Sequence, residues 1–232
     1  MKTLISSVCF IFCALLASAA FGQEEEVRKI GSFSNISLSG HFELNLKKGD
    51  KAAITIETDH IAPGEITTEI RGNTLHIDMK DRKYRLGDEQ KSIIYLTYTQ
   101  LDKIQWDGAG NIKTENPLEA ESFELQVSGA GNIKMDLDVN RLVVNMSGAG
   151  NVEMKGKAYS QKVNMSGAGN YNGFDLQSHE ADVDMSGVGN VRVYVTEELN
   201  ASASGVGAVR YRGNPKKVVK NSSNFLGSIK GE

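Results

Sequence analysis

Few side chains in this sequence stand at spacings that do chemistry. Asp136 and Asp138, and again Asp182 and Asp184, lie two residues apart, so on a strand each pair points to one side. Outward acidic pairs serve polysaccharide lyases and hydrolases built on parallel β-helices. The apolar neighbours Met135, Leu137, Val183 and Met185 explain the same pairs as the solvated face of half-buried strands. Tyr159, Tyr171, Phe174, Tyr194 and Tyr211 offer rings for an aromatic sugar groove, and equally the packing residues that strands and corners use. His41, His60, His76 and His179 are scattered without metal-ligand spacing. No His-Glu-x-x-His, Gly-x-Ser-x-Gly or Ser-x-x-Lys phrase follows residue 22. The residues therefore assign no catalytic group, no cofactor and no metal.

What does recur is glycine. The chain has 232 residues, of which 24 are glycine and only 3 proline, so glycine exceeds its usual share of roughly 7%. It does not fall at every third position, which excludes collagen, and an apolar content of 40% excludes a disordered polar tract. A net charge of -3 argues against a nucleic-acid partner, whose phosphates call for a basic face.

Residues 1–22 read as a secretory signal peptide. Lys2 precedes an apolar run from Leu4 to Ala19, too short to span a bilayer, and Ala20 and Gly22 supply small residues before an acidic start. Cleavage after Gly22 or after Ala20 fits this pattern, and no membrane-spanning segment is expected in what remains. Both cysteines, Cys9 and Cys13, fall inside it, so the chain from Gln23 has no disulfide or thiol chemistry. The expected location is the periplasm, the outer surface or the medium.

Twelve of the glycines belong to one phrase, Ser/Asp-Gly-Ala/Val-Gly-Asn, repeated six times. It contains Gly108, Gly110 and Asn111, then Gly129, Gly131 and Asn132, then Gly148, Gly150 and Asn151. Gly167, Gly169 and Asn170 follow, then Gly187, Gly189 and Asn190, and last Gly205 and Gly207, where Ala208 replaces asparagine. Degenerate copies flank the series at 38–42 and 225–229. A steady period near twenty marks a repeat architecture in which each unit buries its face against its neighbours.

Apolar residues alternate on both sides of each phrase: Val144 and Met146 before, Val152 and Met154 after. That is the period of half-buried strands. The glycines then serve as corners, where a backbone without Cβ bends sharply and approaches its neighbour closely. The asparagines are placed to form an amide ladder from coil to coil. The intervening Ala109, Ala130, Ala149, Ala168, Val188 and Val206 are expected to stack in a narrow interior. A hairpin meander is the competing architecture, but the phrase lacks the Asn-Gly or Asp-Gly order that two-residue hairpins favour. The expectation is an all-β, right-handed parallel β-helix, its six coils rising about 29 Å at ~4.8 Å each.

The stretch 23–105 is strand-rich but less regular, and 106–232 carries the glycine repeats. Turns resembling hairpin connections stand at Lys47–Asp50 and at Arg71–Asn73, and 81–91 is a charged, solvated excursion. "SGHFELNLKKGD", "SIIYLTYTQLDKIQWDGAGNI" and the "SGAGN" phrases resemble the family described as putative auto-transporter adhesin, head GIN domain, from about Gly31 to the end. That resemblance implies a secreted or surface-associated β-solenoid and brings no catalytic residues. No series of about ten-residue lipid-facing strands closes the chain. The expected partners are cell-surface glycans or envelope proteins, and the oligomeric state is left open. A carbohydrate-active enzyme on the same scaffold is the alternative.

Overall fold

A computed structural model describes residues 24–59, 62–80, 92–224 and 226–232. The expected signal peptide and the charged excursion at 81–91 lie outside the described residues. Three long strands show how the repeat folds: β9 (Ala130–Met146), β10 (Ala149–Met165) and β11 (Ala168–Met185). Each stacks parallel on the one before with like on like. Ala130, Ala149 and Ala168 align, as do Asn132, Asn151 and Asn170, and Met146, Met165 and Met185. A stacked parallel β-solenoid results.

The column extends both ways. Toward the N-terminus lie β8 (Leu118–Val127), β7 (Lys103–Thr114) and β2 (Asn35–Lys48), where Gly40 pairs with Gly108. Toward the C-terminus lie β12 (Val188–Tyr194), β13 (Glu198–Ala203), β14 (Val206–Arg212), β15 (Lys217–Ser222) and β16 (Leu226–Gly231). Ile133, Met135, Leu137, Val139, Leu142, Val144 and Met146 of one coil all point inward and are buried. With their counterparts above and below they form one continuous core that also holds Trp106 and Phe123.

The N-terminal end changes pairing mode. β5 (Thr74–Met79) and β6 (Ser92–Tyr98) lie parallel to β2, whereas β1 (Glu24–Lys29), β3 (Ala53–Thr58) and β4 (Ile66–Arg71) pair antiparallel. Arg71–Asn73 is a true hairpin turn, with Gly72 at φ +61°. The turn expected at Lys47–Asp50 is not one, because β6 intervenes between β2 and β3. The Arg28 guanidinium ties these flaps together, donating to the carbonyls of Ile66 at 2.6 Å and Pro63 at 2.9 Å.

The small residues of the phrase correct the sequence expectation. Ala130, Ala149, Ala168, Val188 and Val206 are exposed and Ala109 is half-buried. Strands end before the Ser-Gly step and resume at the small residue, but the in–out alternation carries across from Val127 to Ile133, so the residue between the two glycines points out. The glycines hold the inward positions. At Gly131, φ is +150° and an added Cβ would sit on the carbonyl oxygen of Gly110 in the previous coil. The space its side chain leaves is taken by the Trp106 ring, 2.9 Å from where that Cβ would lie.

Candidate axial groove

The chain folds inward at each Ser-Gly step, so the outward residue two places earlier faces the serine. Stacked coils turn this notch into a groove of about 550 Å³ along the axis. One wall carries Gln105, Gln126, Asn145, Asn164 and Asp184; the other carries Ser128, Ser147, Ser166 and Ser186. Asn164 Nδ2 donates to Asn145 Oδ1 in the coil before at 2.7 Å, while Asn145 Nδ2 and Gln126 Nε2 both donate to the Glu124 carboxylate, at 3.4 and 2.6 Å. The Ser128, Ser147 and Ser166 hydroxyls donate to the carbonyls of Trp106, Val127 and Met146 in the coil before, at 3.3, 3.4 and 3.5 Å. Each amide keeps a further donor and acceptor for a ligand.

Around the corner runs a second ladder. Asn132 donates to Asn111, Asn151 to Asn132, Asn170 to Asn151 and Asn190 to Asn170, at 3.3, 3.0, 2.8 and 2.9 Å. It ends where Asn190 meets Ala208. Between ladder and groove stands the stripe of small residues, which widens to Val188, Val206 and Leu226 at 57%, 45% and 74% exposure.

The family model described as putative auto-transporter adhesin, head GIN domain, matches residues 32–215. The chain belongs to that family. Its fold is shared with solved structures of low sequence identity. One is a putative adhesin from Bacteroides fragilis NCTC 9343, 23% identical, with a TM-score of 0.86 over 92% of this chain and 98% of that one. Another is a putative lipid binding protein from Parabacteroides distasonis ATCC 8503, 20% identical, with a TM-score of 0.64 over 90% and 97%. A putative adhesin from Parabacteroides merdae ATCC 43184 is 18% identical, with a TM-score of 0.63 over 90% and 96%. No curated protein matches.

The other expected site residues are dispersed across this member of the family. Asp136, half-buried, pairs with Lys155 at 3.2 Å, and Asp182, exposed, pairs with Lys162 at 2.9 Å, both on the coil surface. Asp138 stands opposite Lys157, and only Asp184 reaches the axial groove. No register position joins the two aspartate pairs. The five aromatics do not form one groove either. Tyr171 is core, its hydroxyl donating to Gln161 Oε1 at 3.1 Å, while Arg212 covers the Phe174 ring and Lys220 the Tyr211 ring. His41 and His179 are exposed, His76 is half-buried on β5, and His60 lies outside the described residues. Among the described residues no three acidic, histidine or cysteine side chains come together as a metal-holding group. No described helix is long and apolar enough to cross a membrane.

Burial raises the Tyr98 phenol to about 12, with Glu119 adding to the effect, and the Tyr171 phenol further still. On the surface, the Lys217 ammonium and the Asn200 amide bond to Glu198 and hold its carboxyl below the usual range. Reading the residues alone missed the amide wall of the groove. The signal was there: a Gln, Asn or Asp stands two places before each Ser from Ser128 to Ser186.

Proposed function

We propose that the chain is an exported, noncatalytic binding protein of the cell envelope that holds an extended glycan or protein segment along its axial groove. The observation that carries this reading is the groove's repetition. The same pairing of side-chain amide or carboxylate with serine hydroxyl recurs from coil to coil at about 4.8 Å. A wall that offers equivalent hydrogen-bond groups at every step suits a polymer, whereas catalysis needs one position unlike the rest. The family description and the names of the structural neighbours support an adhesin-like role.

The test exposes the exported, purified chain to immobilised surface polysaccharides and envelope proteins, with release of reducing ends and unsaturated sugars followed in parallel. Saturable binding without release is expected. Release of sugar products that is lost in Asp182→Ala or Asp136→Ala would establish the carbohydrate-active alternative instead.

A further inference from the structure

The coils are not all the same length, and the shortest leaves a notch. Gly173 of β11 pairs with Val193, and Glu180 pairs with Glu198. Six residues of β11, 174–179, therefore face only four of the next coil, 194–197. The shorter coil cuts across the corner, joined there by Thr196 N–H to Ser178 O at 3.1 Å and Glu197 N–H to His179 O at 2.8 Å. The Tyr194 carbonyl takes bonds from Ser178 Oγ at 2.6 Å and Gln161 Nε2 at 3.1 Å, and Gln161 and Ser178 are both buried.

Beside this fixed floor opens a space of about 350 Å³, on a different face from the axial groove. Tyr159 and His179 stand next to each other there, ring centroids 5.2 Å apart and tilted by 30°, with Tyr159 55% exposed. Around the rings lie Asp138, Asn140, Lys157 and Gln177. The geometry points to a binding site for a neutral saccharide, with the Tyr159–His179 pair as the stacking platform for a pyranose ring.

Three features select that class. An aromatic face left in water offers apolar area to the C–H face of a sugar, and tyrosine does so at low cost in side-chain entropy. Carboxylate, amide and ammonium groups within one rim match vicinal hydroxyls, which each donate and accept. Asp138 and Lys157 offset each other in charge, so the site has no excess of cations for a phosphate and no enclosed apolar volume for a lipid chain. The volume is at the small end of the roughly 300–1,000 Å³ range of ligand sites, in keeping with a short stretch of a chain that continues into solvent.

Saturation-transfer NMR on the purified chain, with cellohexaose, chitohexaose, maltohexaose and mannohexaose as probes, tests the site. At least one hexasaccharide should receive saturation. Its affinity should fall at least tenfold in Tyr159→Ala, recover to within about threefold in Tyr159→Phe, and stay unchanged in Tyr95→Ala, a half-exposed tyrosine on β6. No transfer to any of the four would overturn the inference, as would binding that survives Tyr159→Ala. Loss in Asn145→Ala/Asn164→Ala with Tyr159→Ala intact would move the sugar to the axial groove and equally overturn it.

Discussion

At the scale of single residues, the phrase works because its two glycines and its outward residue do opposite jobs. The glycines accept inward positions where a Cβ would collide with the stacked backbone, while the residue between them tolerates size because it faces water. Gly131→Ala combines a left-handed φ of +150° with a Cβ placed on the Gly110 carbonyl. Its cost should reach about 3 kcal/mol or more, a fall in Tm of roughly 6 °C or more for a chain of this size. Gly64→Ala meets nothing within 4 Å and should leave Tm nearly unchanged. Thermal unfolding followed by circular dichroism separates the two, and equal effects would refute the stacking argument.

The buried phenols make a second residue-scale prediction. Tyrosine ionises near 10 in an unfolded chain, but burial raises Tyr98 to about 12 and Tyr171 further. Above pH 10 the unfolded state sheds protons that the folded state retains, so it gains population. The stabilising contribution is complete below pH 10 and declines as pH rises toward 12. Urea midpoints measured from pH 8 to 11.5 should show this decline, and the double variant Tyr98→Phe/Tyr171→Phe should flatten it. Identical slopes in wild type and variant would contradict it.

At the scale of elements, the place where β12 gives way to β13 interrupts the pairing with β11, and a small polar cluster fills the break. Gln161 Nε2 bonds Ser178 Oγ at 2.8 Å, and its Oε1 accepts from Tyr171. Gln161→Leu keeps the volume but strands the Tyr171 hydroxyl in the core, which should cost about 1–3 kcal/mol. Neighbouring Lys162→Ala removes only an exposed pair with Asp182 and should cost within roughly 1 kcal/mol. Chemical denaturation of both variants checks the ranking; equal costs would mean that the cluster does not satisfy the break.

Much of this level was legible in the residues. The period near twenty, the alternation beside each phrase and the identity of successive copies predict parallel, in-register stacking. The inward or outward sense of Ala130 and its counterparts was misread, because small apolar side chains suit either face and glycine hides the parity of the strand. The order of β2 to β6 was not legible at all. Those strands lack copies of one another, so nothing in their sequence tells that β6 slides between β2 and β3. The notch at Tyr159 was equally hidden, since it depends on a coil two residues shorter at one corner rather than on any motif.

At the scale of the whole molecule, regular stacking creates the surface that the function is proposed to use. A kink that would be trivial in one coil becomes a continuous polar groove when it recurs in register. Binding along the groove therefore depends on that wall rather than on any single residue. The most direct test is the binding isotherm of the purified chain on isolated envelope material, compared with Asn145→Ala/Asn164→Ala at matched Tm. Saturable binding that weakens at least tenfold in the variant, with the envelope polymers left intact, is the predicted result. Equal binding by wild type and variant would contradict the account.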